Sequence, residues 1–435
     1  MKTPLSRRHF LKASALASAP FILPSGMWAA SKAGKGPNNR INLGLIGIGR
    51  RLSGISAAFA GSDDAQITAI SDCVDARLDY GMQRVRDLYA KQERGIDGLK
   101  AHKDFRGVIE DKSIDGVVIG TPDHWHAIMA IQSANAGKHV YCEKPLTRTI
   151  GEGRAVVKAA RDNKIVFQTG SQQRTEYGGK FRKAVEYVRS GRIGELKKIY
   201  IGVGGPAVKD DLPDEELPEG IDWEMWLGPA PRRGFNQVLC PIGVHKHFPQ
   251  WRRYREYAGG SLSDIGAHHF DIAQWAMDED ASGPISVTPP EDPSTGQGLA
   301  FKYKSGIDMI HSAKLGRKGC VFVGSKGEIH VTRGELNSTP ASILETPLEK
   351  NDFHLPAIAP KHQQNWLDCV RSGEKPVADV EIGHRTNTIC LLANMGYWLG
   401  RELKWDPNKE KFKGDKEANG LLLQKDRKPW AGIAV

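Results

Sequence analysis

The amino-acid sequence predicts an α/β protein with an N-terminal doubly wound parallel sheet, followed by an α/β domain with an open, mostly antiparallel sheet. From residue 41 to about 170, short apolar runs alternate with segments of helical period, which is typical of parallel strands joined by crossover helices. Four strand-like runs then follow in quick succession between residues 298 and 333, which indicates antiparallel pairing. With 435 residues the chain is also too long for one ordinary domain.

The first predicted domain spans residues 40–170. Its strands are predicted at residues 41–48, 66–72, 116–121, 139–143 and 165–169, and amphipathic helices at 127–136 and 152–162. Because ligands bind at the carboxyl edge of such a sheet, the residues directly after these strands are the first candidates for a binding site.

The second predicted domain spans residues 171–435. Residues 206–250 are rich in proline, acidic residues and tryptophan and show little periodicity, which is typical of a long functional loop. Helices are predicted at 180–190 and 262–277, and strands at 197–202, 298–303, 307–313, 319–323 and 328–333. A last helix pair at 362–371 and 384–399 is expected to return to the first domain.

Residues 1–31 are expected to form a signal peptide rather than part of the fold. The run Ser6-Arg7-Arg8-His9-Phe10-Leu11-Lys12 resembles the S-R-R-x-F-L-K pattern of a twin-arginine (Tat) export signal. The apolar stretch after it is broken by Pro20 and Pro24 and is too short for a stable membrane span, so no membrane anchor is expected. We therefore expect export by the Tat machinery to the periplasm or beyond.

The charge of the chain does not indicate a nucleic-acid partner. The net charge is +10, and removal of the four basic residues in the leader would leave about +6. The remaining basic residues are scattered, without a long run or a nucleic-acid motif. We interpret the excess as surface charge.

A glycine-rich turn follows the first predicted strand. Gly47 and Gly49 allow the tight turn and the close backbone approach that a pyrophosphate needs at a helix N-terminus. Asp72 ends the second strand about 25 residues later, where a carboxylate accepts hydrogen bonds from ribose hydroxyls. Because that carboxylate would repel a 2′-phosphate, NAD is the expected cofactor. Arg50 and Arg51 in the same loop could offset the repulsion, so NADP stays an alternative.

Polar residues also follow two further strands of the predicted sheet. Thr121, Pro122 and His126 come after one strand, and Glu143 and Lys144 after the next. Both groups open at the ligand edge, and all five residues are predicted to bind the cofactor. Beside a cationic nicotinamide the charged form of the lysine is disfavoured, which would make it an acid/base or a donor that orients a hydroxyl.

Asp264 and His268 are four residues apart in the predicted helix 262–277, so they share one face and can act on one hydroxyl. A histidine that titrates near neutrality suits removal of the hydroxyl proton while hydride leaves the same carbon, and Asp264 would orient the substrate or the imidazole. A metal site is the rival hypothesis for four histidines, namely His124, His126, His268 and His269. Their spacings match no familiar zinc pattern, so no metal is predicted.

Together these motifs resemble the Gfo/Idh/MocA oxidoreductase family. The resemblance rests on Gly47-Ile48-Gly49, Asp72, Thr121-Pro122, Glu143-Lys144-Pro145, the run from Gly259 to Asp271 and the tail from His362 to Pro407. It implies a Rossmann domain followed by an α/β domain on an open sheet, which often serves as a dimer face, so a homo-oligomer is expected. It also implies oxidation of sugars or cyclitols with NAD(P), with Lys144, Asp264 and His268 as the catalytic residues. Leu52, in place of a third glycine, departs from the dinucleotide pattern.

Four aromatic residues and an arginine are the candidates for substrate binding: Trp223, Trp226, Trp251, Arg252 and Tyr254. Aromatic faces suit the apolar face of a pyranose, and an arginine suits hydroxyls or a carboxylate. For each tryptophan, packing in the interface between the domains is the alternative to substrate binding.

These observations predict an exported oxidoreductase that transfers hydride between tightly bound NAD(P) and a hydroxyl of a sugar, glycoside or cyclitol. Because free dinucleotide is scarce outside the cytoplasm, the cofactor would have to be regenerated in place. One alternative is a redox-neutral NAD-dependent glycosidase, as in the family's α-N-acetylgalactosaminidases, in which a transient keto-sugar allows elimination of the leaving group. A second alternative is a non-catalytic sugar-binding protein.

Overall fold

The computed structural model describes residues 39–432 except Asp97, His247, Lys314, Leu315 and Pro360, so the predicted signal peptide lies outside the described residues. The first of two sheets has six parallel strands in the order β3-β2-β1-β4-β5-β6. Their bounds are β1 (Ile41–Ile46), β2 (Ala65–Ser71), β3 (Lys100–His102), β4 (Gly116–Ile119), β5 (His139–Cys142) and β6 (Phe167–Thr169). The reversal of strand order beside β1 places a crevice at the carboxyl edge of the sheet.

Helices cover both faces of this sheet, which explains why the central strand β4 has no polar side chain. Those helices are α1 (Arg50–Ala60), α2 (Asp75–Ala90), α3 (Arg106–Glu110), α4 (Asp123–Asn135) and α5 (Ile150–Asp162). All four residues of β4 are buried. The sequence prediction missed β3, because this edge strand has only three residues and Lys100 and Ala101 are exposed.

The second sheet has nine described strands in the order β13-β12-β11-β7-β10-β9-β8-β14-β15. Their bounds are β7 (Leu196–Gly202), β8 (Ser286–Thr288), β9 (Leu299–Lys302), β10 (Asp308–His311), β11 (Gly319–Gly324), β12 (Glu328–Val331), β13 (Leu336–Thr339), β14 (Leu403–Asp406) and β15 (Lys411–Phe412). β7 and β10 run parallel, and the other neighbouring pairs are antiparallel. The predicted fold class, a parallel sheet followed by a mostly antiparallel one, is confirmed.

The remaining helices pack mainly around the second sheet. Their bounds are α6 (Lys180–Arg189), α7 (Trp223–Leu227), α8 (Gly260–Asp264), α9 (Gly266–Met277), α10 (Ser342–Glu345), α11 (His362–Ser372), α12 (Val380–Leu399) and α13 (Lys416–Gly420). Phe181 of α6 and Phe270 of α9 belong to the large core beneath this sheet. α11 instead places Trp366 in the core of the first sheet, edge-on to Phe59 and Tyr141. None of the described helices combines the length and the apolar character that a membrane crossing needs.

The helix predicted at 262–277 is in fact two helices, α8 and α9, with Ile265 at the junction. The carbonyl oxygen of Asp264 accepts a hydrogen bond from Lys144 Nζ at 2.6 Å. The N–H of His268 donates to Ile265 O instead, at 3.1 Å. The sequence prediction was wrong here because a bond from the other sheet domain competes with the regular helical one.

Residues 206–258 fold into an aromatic cluster against the first domain. Trp223 and Trp226 stack with their ring centroids 4.8 Å apart. The N–H of Asp75 donates to Gly220 O at 2.9 Å, and the N–H of Asp222 donates to Cys73 O at 3.0 Å. This segment is therefore attached to the turn directly after β2.

Candidate active site

The glycine turn after β1 forms the floor of a cleft at the carboxyl edge of the first sheet. Gly47 has a φ of +86°, and a Cβ there would lie 2.6 Å from Thr121 Cγ2, so only glycine fits. Gly49 precedes α1, and the space that its Cβ would occupy is open. A phosphate can therefore approach the first N–H groups of α1, which have no partner inside the helix. The empty volume of the cleft, including the solvent at its open mouth, is about 810 Å³.

The leucine at the third glycine position is compensated by a glycine on the neighbouring strand. Leu52 is fully buried on α1. A Cβ on Gly120, which follows β4, would lie 3.0 Å from Leu52 Cβ. The close packing of helix against strand that a third glycine usually allows is thus obtained from the opposite side.

Asp72 lies in the cleft at the end of β2. Its two carboxylate oxygens accept hydrogen bonds from the N–H groups of Ile48, at 2.6 Å, and Val74, at 2.9 Å. Burial raises the pKa of Asp72, while Arg77 and the two backbone N–H groups oppose that rise. A carboxylate has about four acceptor positions, so two remain for ribose hydroxyls. The residue both fixes the glycine turn and fits the sugar of a dinucleotide.

We expect Asp72→Ala to loosen NAD and to weaken discrimination against NADP, because it removes the carboxylate that is predicted to bind the ribose hydroxyls. Dissociation constants for both nucleotides, measured by calorimetry on nucleotide-free protein, would check this. Asp75→Ala is the matched control: it removes the same charge three residues away, from a half-exposed side chain that pairs with Lys103. Unchanged NAD to NADP selectivity in Asp72→Ala would remove Asp72 from the ribose site.

The arginines predicted to bind the cofactor line the cleft and have defined partners. Arg50 lies over the ring of Phe248, with its guanidinium carbon 4.7 Å from the ring centroid. Arg51 Nε lies 3.0 Å from Glu143 Oε1, and the same oxygen accepts from Gln172 Nε2 at 2.8 Å. Glu143 is buried in these contacts rather than in the lining of the cleft. The structure therefore places it behind Arg51, where it orients that side chain.

The predicted cofactor residues after β4 divide into two groups. Thr121 and Pro122 line the cleft. His126 is buried behind it, with Nδ1 2.7 Å from Pro145 O and Nε2 3.0 Å from Thr121 O. Burial lowers the pKa of His126 to about 4. Both ring nitrogens thus face the carbonyls of the two turns that His126 holds together, and its contact with the cofactor stays a prediction.

The strand-end lysine and the helical aspartate form an ion pair between the two domains. Lys144 Nζ lies 2.6 Å from Asp264 Oδ1 and also donates to the Asp264 carbonyl. Burial raises the pKa of Asp264, but Lys144 and Arg252 outweigh it and lower the pKa below its usual value. The lysine thus has a carboxylate partner in addition to the nicotinamide that the sequence analysis placed beside it. This geometry suits a hydrogen-bond donor to a substrate oxygen.

His268 lies one helical turn after Asp264 and is almost fully buried. Burial lowers its pKa well below the usual value, and the charges of Lys144, Arg333 and Arg51 act in the same direction. The prediction that it titrates near neutrality was wrong, because no carboxylate outweighs burial and these cations. Its imidazole is neutral at pH 7, which is the form that a general base needs.

A buried ion pair holds the helix that carries His268. Arg174 Nε and Nη2 donate to the carboxylate of Asp271 at 2.8–3.0 Å, and both side chains are at most 1% exposed. Arg174 also donates to Asp280. Gln173 Nε2 donates to the His268 carbonyl at 3.0 Å. The segment after β6 thereby fixes α9 relative to the first domain.

The predicted substrate residues lie in two places. Trp226, Trp251 and Arg252 line the cleft. Arg252 Nε is 3.6 Å from Asp264 Oδ1, which brings this residue to the Lys144–Asp264 pair. Trp223 and Tyr254 instead pack inside the aromatic cluster. For these two the packing alternative accounts for the position.

Several residues of the site carried no recognisable signal in the sequence. Phe105, Met129 and Phe248 line the cleft from three separate segments. Asp123 begins α4 and is buried near Lys144, and burial raises its pKa to about 8. Arg333 follows β12, and its Nε donates to Gln173 Oε1 at 3.0 Å.

Family comparisons agree with this architecture. The model described as "Oxidoreductase family, NAD-binding Rossmann fold" matches residues 41–171. The model described as "Oxidoreductase family, C-terminal alpha/beta domain" matches residues 200–432, more than half of the chain. The expectation of an NAD-binding domain is confirmed.

Individual relatives differ in activity. The chain is 25% identical over 367 residues to the myo-inositol 2-dehydrogenase of Thermotoga maritima, a match that covers 79% of this chain and 92% of the relative. It is 31% identical over 207 residues to a glycosyl hydrolase family 109 protein of Shewanella pealeana, which covers 44% of each chain. The crystal structure of an aldose-aldose oxidoreductase from Caulobacter crescentus, complexed with glycerol, has a TM-score of 0.57 at 17% identity. It covers 84% of this chain and 99% of that one, and supports the fold.

Proposed function

The chain belongs to the Gfo/Idh/MocA family of NAD-binding oxidoreductases, and from this premise we propose that it exchanges hydride between tightly held NAD and a hydroxyl of a sugar, glycoside or cyclitol, outside the cytoplasm. One observation carries the proposal: Lys144 and Asp264 form an ion pair at the carboxyl edge of the first sheet, and the charge of Lys144 acts on the buried His268 one helical turn away.

The chain's own residues supply binding and proton transfer. When bound, the dinucleotide supplies the hydride acceptor. Lys144, held by Asp264, donates to the reacting hydroxyl oxygen and stabilises the negative charge that develops there. His268 takes the hydroxyl proton on its neutral imidazole as the carbon loses hydride. The product is a keto-sugar or a lactone.

The attachment of residues 206–258 to the first domain supports tight retention of the cofactor. Arg77, which lines the cleft, donates from Nε to Gly243 O at 3.1 Å and from Nη2 to Pro241 O. Phe248 packs on Arg50 across the same opening. We propose that these contacts, which attach the segment to two arginines that line the cleft, slow the release of a bound dinucleotide.

We expect protein recovered from the exported fraction to contain one dinucleotide per chain. Denaturation followed by mass identification of the released nucleotide measures this. Replacing the arginine pair in the leader, Arg7→Lys with Arg8→Lys, should keep the protein in the cytoplasm with its cofactor still bound, since that pair is what the Tat machinery reads. Fully active exported protein without nucleotide would contradict tight retention, and normal export of the double variant would contradict the Tat assignment.

A redox-neutral glycosidase is the second candidate, and the similarity to a glycosyl hydrolase family 109 protein favours it. Both candidates begin with hydride transfer to the bound cofactor, so they differ in what leaves the site. The oxidoreductase stays reduced until an acceptor arrives, whereas the glycosidase releases two sugar fragments without net change in the cofactor.

The deciding experiment incubates the enzyme with aryl glycosides and free aldoses, without added acceptor. We expect one stoichiometric burst of reduced nicotinamide that an added acceptor sugar discharges. Sustained aryl release over many turnovers would replace the oxidoreductase with the glycosidase. Neither a burst nor aryl release, with sugars still bound, would favour a sugar-binding protein.

Self-association through the open sheet, expected from the family resemblance, is a separate proposal that sedimentation would check.

A further inference from the structure

A second cavity lies beside His268, on the side of α9 that faces the antiparallel sheet. It is lined by Ile265, at the junction of α8 and α9, and by His269 of α9, and its empty volume, including the solvent at its open mouth, is about 1480 Å³. Its other walls come from the ends of β7, β10, β11 and β12. The residues that line this cavity are all different from those that line the dinucleotide cleft.

The charged side chains that line this cavity are all basic. Arg333 and Lys318 line it, and none of the described residues in its lining is acidic. Polar neutral groups complete the wall, among them Gln297 and Thr332. A cationic cavity without carboxylates attracts an anion in preference to a neutral ligand.

Arg333 is held in place by neutral groups. Its Nε donates to Gln173 Oε1 at 3.0 Å, and Gln173 in turn donates to the His268 carbonyl at 3.0 Å. Its guanidinium lies over the ring of Tyr177, 4.9 Å from the centroid. No carboxylate of the described residues lies within ion-pair distance of Arg333, although its positive charge acts to lower the pKa of the more distant Asp264 and Glu176. The two terminal nitrogens of the guanidinium are thus left to bind a planar anion such as a carboxylate.

Tyr177, whose ring lies against Arg333, has a strained backbone conformation. Tyr177 has a φ of +62°, which is unfavourable for a bulky side chain. Gly178 and Gly179 follow with φ of +66° and +70°. Such strain persists where the surrounding structure fixes it, and it concentrates at ligand sites.

From this geometry we infer that the cavity binds a carboxylate through Arg333, with Lys318 adding charge, so that the preferred substrates are acidic sugars. This inference rests on the proposed function and narrows its substrate class. The positive charges that act on His268 agree with it, since a bound carboxylate would offset them. The carboxylate would sit on one side of His268 and the reacting hydroxyl on the other, near Lys144.

The test uses the enzyme with its own bound cofactor and matched sugar pairs: glucose with glucuronate, and galactose with galacturonate. The readout is reduction of the bound nicotinamide in a single turnover against sugar concentration. We expect the acid of at least one pair to act at concentrations about 10- to 100-fold lower than its neutral partner, the usual range for a charged hydrogen bond.

Arg333→Gln should abolish that preference by raising the half-saturating concentration of the acid to that of its neutral partner. Lys318→Gln should reduce the preference for the acid partially. If Arg333→Gln fails to fold, Lys318→Gln provides the test of the cavity in its place. Arg371→Gln removes the same charge from a partly exposed side chain on α11 and should leave the preference unchanged.

The outcomes separate this inference from the proposed function. Neutral sugars that act at concentrations as low as the acids would overturn the inference alone. No reduction by any sugar would overturn the proposed function and the inference with it. An acid preference that survives both Arg333→Gln and Lys318→Gln, with a changed sedimentation mass, would assign the cavity to an interface between copies of the chain and would also overturn it.

Discussion

His268→Ala is expected to lower kcat by about 10²–10⁴-fold, the usual contribution of a positioned general base. The imidazole is buried, neutral at pH 7 and one turn from the Lys144–Asp264 pair, so its removal leaves the hydroxyl proton without an acceptor. Single-turnover reduction of the bound cofactor measures the effect. The bound nucleotide should be retained, because His268 does not line the dinucleotide cleft.

The pH dependence of the rate provides a second test of His268 as the general base. Because the pKa of His268 is lowered, the wild-type rate should stay level as the pH falls through 6.5 and decline only where the imidazole becomes protonated. His268→Ala should lose that acid limb. A decline in the wild type centred near 6.5 would contradict the assignment of the base.

Lys144→Ala removes the proposed hydrogen-bond donor to the oxygen of the same hydroxyl, and we expect it to lower kcat by a similar factor. It also leaves Asp264 without its closest cation, so Lys144→Arg is the matched variant: it keeps the charge and changes the geometry. Lys138→Ala, a lysine after α4 that binds only the carbonyls of Asp111 and Ile114, controls for loss of a buried ammonium. Full activity of Lys144→Ala would remove the lysine from catalysis.

Much of the site could be predicted from the sequence because each domain presents it at the end of a regular element. Gly47, Asp72 and Lys144 directly follow apolar runs, and in a parallel sheet such positions meet at one edge. Asp264 and His268 could be paired by helical spacing even though the helix is broken at Ile265, since one turn separates them in either geometry.

Sequence spacing was least informative where contacts between distant segments decide the orientation or the charge of a side chain. His126 follows a strand like its neighbours, yet two carbonyls turn its ring away from the cleft. The neutral state of His268 depends on burial and on Arg333, which is 65 residues away in the chain. Spacing along the chain carries no information about such pairs. For the same reason Phe248 could not be predicted as part of the cofactor cleft.

Arg174→Met is expected to lower the free energy of unfolding by about 3–5 kcal/mol, the usual cost of leaving one partner of a buried ion pair alone. Arg174 and Asp271 are both inaccessible to solvent, and methionine fills most of the removed volume while leaving the carboxylate uncompensated. Equilibrium denaturation, followed by fluorescence, measures the shift. Arg401→Met is the control: its side chain is 41% exposed and pairs with Asp415, so we expect a change of less than about 1 kcal/mol.

The pH dependence of this deficit distinguishes a buried charge from lost packing. Burial already raises the pKa of Asp271, and Arg174 is the main influence that lowers it. Without Arg174 the folded-state pKa rises further above the unfolded value, so the folded variant binds a proton that the unfolded chain releases. Its stability relative to the wild type should therefore recover as the pH falls through that raised pKa. A deficit that is constant between pH 8 and pH 5 would show that Arg174 acts through packing, and that the carboxylate of Asp271 carries no uncompensated charge in the variant.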